Sequence, residues 1–121
     1  MVKLLENISI DELINLQNTL PENNKIVLRF TADWCGPCKT IKPIIDEYVC
    51  KFSDNITFVT IDVDETIDIY SQLKRNKSLN GIPAILVFNG GNRENWFVSD
   101  ECVLGGNLKD LKQIFDKLLT C

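Results

Sequence analysis

The sequence predicts an α/β fold: a central mixed β-sheet flanked by helices on both faces. Two observations predict it. Short, nearly continuous apolar runs at 26–31, 56–63 and 84–88 read as buried strands. Segments with apolar residues at helical spacing separate them, and such alternation builds a sheet covered by helices. The predicted order is β-α-β-α-β-α-β-β-α, in one domain over residues 1–121.

Each element has a local reason. Residues 2–5 form a short edge strand. Ser9 and Glu12 have capping-box spacing, and Ile10, Leu13, Ile14 and Leu16 form the apolar stripe of the helix that follows. Residues 21–25 are a polar loop before the 26–31 strand. A helix from 35 to about 52 presents Ile41, Ile44, Ile45, Tyr48, Val49 and Phe52 inward, and Pro43 within it lacks an N–H and predicts a kink. Asn55 marks the turn into the 56–63 strand, and residues 66–74 form a helix. Gly81-Ile82-Pro83 leads into the 84–88 strand. Asn89-Gly90-Gly91-Asn92 reads as a hairpin turn, with a returning strand over 96–104. Asn107 caps a last helix with Leu108, Leu111, Ile114, Phe115, Leu118 and Leu119 inward.

Composition narrows the chemistry. At 45% hydrophobic and 25% charged residues this is an ordinary globular composition. A net charge of −4 offers no basic surface for nucleic acid. The absence of histidine removes His bases, His-activated nucleophiles and His metal ligands. Thiol–disulfide exchange survives, because it needs only cysteines and a shaped backbone. The five cysteines are odd in number, sparse and preceded by no apolar leader, unlike a secreted disulfide framework. No run approaches a membrane-spanning length. A cytoplasmic protein without membrane contact is expected.

The most informative segment is Trp34-Cys35-Gly36-Pro37-Cys38, at the turn from the 26–31 strand into the helix. Two thiols with this spacing at a strand-to-helix turn read as a redox pair. Cys35 stands at the helix N-terminus, where unpaired N–H groups and the helix dipole favour a thiolate. Cys38 lies one turn further in, and Pro37 occupies the first turn, where its missing N–H costs nothing. A zinc site would need about two further ligands, and with no histidine and no second CxxC none is expected.

The chain resembles the thioredoxin family over nearly its full length. The resemblance rests on Phe30-Thr-Ala-Asp-Trp-Cys-Gly-Pro-Cys-Lys39, Ile41-Lys42-Pro43, Val59-Thr-Ile-Asp-Val-Asp64 and Gly81-Ile-Pro-Ala84. It implies a thioredoxin fold and a protein-disulfide reductase. Cys35 attacks the client disulfide and Cys38 releases the reduced product. Pro83 follows a cis peptide, and Ile82 offers its backbone to an extended client segment. The implied apolar groove comprises Trp34, Gly36, Pro37, Ile82, Pro83, Gly105 and Gly106. No cofactor is bound. Electrons come from NADPH through a flavoprotein reductase (thioredoxin reductase), the other partners are disulfide-containing proteins, and the chain acts as a monomer.

Three departures from the family pattern stand out. Arg29 occupies the position of a buried acid thought to assist proton transfer at the second cysteine, and arginine is no base near neutral pH. Thr60 replaces the lysine of bacterial relatives. The 89–104 segment is longer than usual and carries Asn95-Trp96-Phe97-Val98 and Cys102. A buried Arg29 demands a carboxylate, with Asp62 and Asp64 as candidates, so these three are candidate modulators of the thiol pKa values. Without the acid, disulfide resolution is expected to be slower and the pair a weaker reductant. Cys50 reads as a partly buried filler, Cys102 and Cys121 as inert thiols, and Trp96 as hairpin packing. The alternative function is a binding module of the same fold with secondary or client-restricted redox activity.

Overall fold

The computed structural model describes residues 1–120. Its elements are β1 (Lys3–Glu6), α1 (Ile10–Thr19), β2 (Lys25–Thr31), α2 (Gly36–Val49), β3 (Ile56–Asp62), α3 (Ile67–Arg75), β4 (Ala84–Asn89), β5 (Glu101–Leu104) and α4 (Leu108–Leu119). The order is the one expected from the sequence. The sheet runs β1-β3-β2-β4-β5. β1 and β2 pair parallel to β3, and β4 pairs antiparallel to both β2 and β5, so the sheet is mixed.

Strand alternation divides the core between the two faces. Ile26, Leu28 and Phe30 of β2 join Leu13 of α1 and Ile69 and Leu73 of α3 on one face. Val27 joins Ile41 and Ile45 of α2 and Leu111, Phe115 and Leu118 of α4 on the other. β2 has paired neighbours on both sides, and Ile26, Val27, Leu28 and Phe30 are fully buried. The strand that ends just before the cysteine motif is therefore enclosed on both edges and both faces.

The capping box at Ser9 and Glu12 is complete, and Asn107 caps α4 through its side-chain oxygen. α2 runs without a break through Pro43. Leu108 and Leu119 are exposed rather than inward, since α4 needs only the stripe of Leu111, Phe115 and Leu118 to cover its face.

The expected 89–92 hairpin with a strand over 96–104 is not formed. β5 begins only at Glu101. The Gly90 and Gly91 amides donate to the carbonyls of Asn24 and Gln17, which draws the chain onto the end of α1. The Trp96 carbonyl accepts from Gln17 Nε2 at 2.9 Å, and the Phe97 carbonyl from Ser78 Oγ at 2.5 Å. Their rings pack on the α1/α3 core. Arg93 closes the loop by donating to the Val98 carbonyl and to Asp100, with its guanidinium over the Phe88 ring. These contacts replace the ladder that a longer strand would have made.

Gly90 marks the tightest approach in this loop. A Cβ there would sit 2.7 Å from the Leu20 carbonyl oxygen and against that of Pro21. Backbone cannot yield as a side-chain tip does. Gly90→Ala should therefore lower unfolding stability by about 2 kcal/mol, the usual cost of overpacking. Urea denaturation would show this as an earlier midpoint; an unchanged midpoint would mean that the loop is not held where it lies.

Candidate active site

The end of β2 and the start of α2 place the two cysteines. The Cys35 amide donates to the Ala32 carbonyl at 3.1 Å, closing the turn. Cys35 is the N-cap of α2, with extended backbone, and its sulfur accepts the Cys38 amide at 3.2 Å. The sulfur thus takes the place of the oxygen that a serine or aspartate would supply. Pro37 lies in the first turn, as the missing amide allows. Cys35 and Cys38 form a disulfide with a Cα–Cα separation of 5.3 Å, well within the range such bonds span. Both are buried, at 4% and 3% exposure.

Several residues expected to form the groove converge on this pair. The Ile82–Pro83 peptide is cis, as expected. Pro83 is buried, while Ile82 is half-buried against the core that holds both cysteines. The Gly105 amide donates to the Pro83 carbonyl at 2.8 Å, and Gly105 adopts φ +93°, which glycine takes without strain. A Cβ on Gly106 would lie 3.7 Å from Pro37 and 4.0 Å from Pro83. Gly36 and Pro37 are exposed beside them. Trp34 is 68% exposed, and its indole Nε1 donates to Asp64 at 2.9 Å. Trp34, Gly36 and Pro37 are thus exposed beside a buried disulfide, with Gly106 close to Pro37 and Pro83.

Arg29 is buried at 8% exposure, but its expected partners are elsewhere. Asp62 Oδ1 accepts the Asp64 amide, and Asp64 accepts Trp34. Both carboxylates are committed to the β3–α3 turn, beyond the strand end. Arg29 stands across from Thr60 in the β2–β3 register, and its Nη2 is 3.5 Å from the Thr60 hydroxyl. Among the described residues its buried Nε has no hydrogen-bond partner, and no carboxylate forms an ion pair with it. Burial pushes its pKa down, while the charge of Asp46 on α2 pulls it up. Asp46 is itself bridged to Lys42 at 2.7 Å. Arginine's ordinary pKa is so high that the group stays charged. Arg29, Thr60 and Cys38 line one open cleft of about 390 Å³ with Glu6, Asp33, Lys39 and Lys42.

The remaining thiols differ from expectation in one respect. Cys50 is exposed rather than a filler, because it caps the end of α2 beyond the buried stripe. Cys102 is exposed on the edge strand β5. Cys121 lies outside the described residues. Trp96 packs as expected, but on the loop described above rather than a hairpin. Among the described residues no group of three or more His, Cys, Asp or Glu side chains is placed to hold a metal ion. No helix is long and apolar enough to cross a membrane.

Comparison with known proteins decides the family. The thioredoxin family model matches residues 8–114. The chain belongs to the thioredoxin family. It is 34% identical over 104 residues to Thioredoxin-T of Drosophila melanogaster, covering 86% of this chain but only 60% of that protein's length. It is 31% identical to Thioredoxin 1 of Plasmodium falciparum, covering 81% of this chain and 84% of the relative. The crystal structure of thioredoxin from Trypanosoma brucei brucei shares the fold, with a TM-score of 0.73 at 24% identity over 98% of this chain and 93% of that one. Family membership and the closed Cys35–Cys38 bond together support thiol–disulfide oxidoreductase chemistry.

Proposed function

We propose that the chain reduces protein disulfides through a Cys35–Cys38 dithiol–disulfide cycle. One observation carries the reading most directly: Cys35 caps α2 with its sulfur on the Cys38 amide while bonded to Cys38 itself. In the reduced state the same amide and the helix dipole stabilise a Cys35 thiolate. That thiolate attacks one sulfur of a client disulfide, forming a mixed disulfide and expelling a client thiolate. Cys38, as thiolate, attacks the Cys35 sulfur, closes the Cys35–Cys38 bond and expels the second client thiolate. Two electrons must then come from outside. A flavoprotein reductase drawing on NADPH is the source proposed, as membership of the thioredoxin family suggests.

The client is an extended segment lying in the notch of Trp34, Gly36, Pro37, Ile82, Pro83, Gly105 and Gly106. No hydrogen bond within the described residues engages the backbone of Ile82, which leaves it open to a client strand. Both thiols come from one chain, so a monomer suffices. The exposed, unpaired Cys50 and Cys102 suit a reducing compartment such as the cytoplasm.

Cysteine substitution with insulin as the test disulfide checks the roles. Cys38→Ser should hold mixed disulfides with its clients, visible on non-reducing gels, whereas Cys35→Ser should hold none. Both should lose multiple-turnover insulin reduction. Equal trapping by the two variants would contradict the assignment, and insulin reduction by Cys35→Ser would refute the cycle. Gly106 tests the groove separately. A Cβ fits there in ordinary contact, so Gly106→Leu should fold with stability changed by only about 0.5 kcal/mol. Its side chain would fill the notch, and insulin reduction should fall roughly tenfold or more while reaction with a small dithiol persists. Undiminished insulin reduction would place the client elsewhere.

A further inference from the structure

We infer that Arg29 is a positioning residue for the second half of the cycle: its buried charge stabilises the thiolate of Cys38. The inference rests on the proposed cycle. Arg29 and Cys38 line the same cleft, one from β2 and one from α2. Burial would otherwise hold the Cys38 thiol protonated. Of the charged groups around the cleft, Glu6, Asp33 and Lys39 are exposed, and Lys42 is bridged to Asp46. Asp46 acts on Arg29 only through its charge; among the described residues Arg29 forms no ion pair, and its buried Nε has no acceptor. In the oxidised chain its positive charge is offset in part by Asp46, which is itself shared with Lys42. Reduction adds a buried thiolate on the same cleft.

The consequence is electrostatic and directional. An opposite charge nearby favours the ionised form of an acid. When client-bound Cys35 awaits resolution, Cys38 loses its proton to water in the open cleft, and Arg29 holds the resulting thiolate. That thiolate displaces the client sulfur from Cys35. No protein base takes part. The slower resolution expected from the missing acid is thereby offset by a fixed charge. Because Arg29 favours the dithiol state over the disulfide, it also makes the pair a weaker reductant.

Arg29→Met removes the charge and keeps most of the volume, and Arg29→Lys keeps the charge. Three readouts separate the electrostatic role from a structural one. Arg29→Met should slow resolution of a preformed mixed disulfide about tenfold near pH 7. It should shift the equilibrium with a glutathione buffer about tenfold toward disulfide, or roughly 30 mV more reducing. Its oxidised form should gain melting temperature relative to its reduced form. Arg29→Lys should restore most of each. Unchanged resolution and equilibrium in a folded Arg29→Met would overturn the inference while leaving the Cys35–Cys38 cycle standing. Should Arg29→Met not fold, Cys35→Ser with Arg29 intact gives the answer. Its Cys38 should ionise, by thiolate absorbance against pH, at or below the ordinary thiol value of about 8.5; ionisation well above it overturns the inference. Loss of insulin reduction in the wild-type chain would instead refute the cycle itself.

Discussion

The chemistry depends on the point where β2 stops and α2 starts. A strand paired on both sides cannot shift without breaking the sheet, and β2 is such a strand. Its end fixes Thr31, the Ala32–Cys35 turn follows, and Cys35 arrives as the N-cap of a long helix. A helix start leaves amides without partners. Here one of them points at a sulfur. The same few residues therefore finish a helix, close a turn and place a nucleophile. Exposure plays little part, since both active-site cysteines are nearly enclosed while Cys50 and Cys102 are open to solvent.

The second constraint is the antiparallel pair of β4 and β5. Their register sets Ala84 against Leu104, so the residues just outside both strand ends meet. Pro83 and Gly105 are joined by a hydrogen bond, and Gly106 lies against Pro37 and Pro83. Three chain segments far apart in sequence thus meet beside Pro37. The longer loop before β5 stays on the α1/α3 side, where Gln17 and Ser78 hold it by hydrogen bonds.

Much of this was legible in the sequence. The strand runs, the Ser9 and Asn107 caps and the position of Cys35 are local patterns, and local patterns persist in the fold. The groove residues followed from the family resemblance, and Pro37, Pro83 and Gly106 do converge. The 89–100 loop was not legible, because its path is decided by side chains of α1 and by Ser78, distant in sequence. The partners of Arg29 were also beyond reach. A carboxylate was expected beside a buried Arg29, but Asp62 and Asp64 have another use in the turn, bonded to a backbone amide and to Trp34. Cys50 was misjudged because it falls one residue past α2, where the inward stripe no longer applies.

The central claim is that helix capping, not accessibility, makes Cys35 the reactive thiol. Competitive alkylation of the fully reduced chain near neutral pH, with limiting iodoacetamide and peptide mapping, tests it most directly. The account predicts that Cys35 is labelled first, ahead of the more exposed Cys50 and Cys102. Labelling of Cys50 or Cys102 before Cys35 would contradict it.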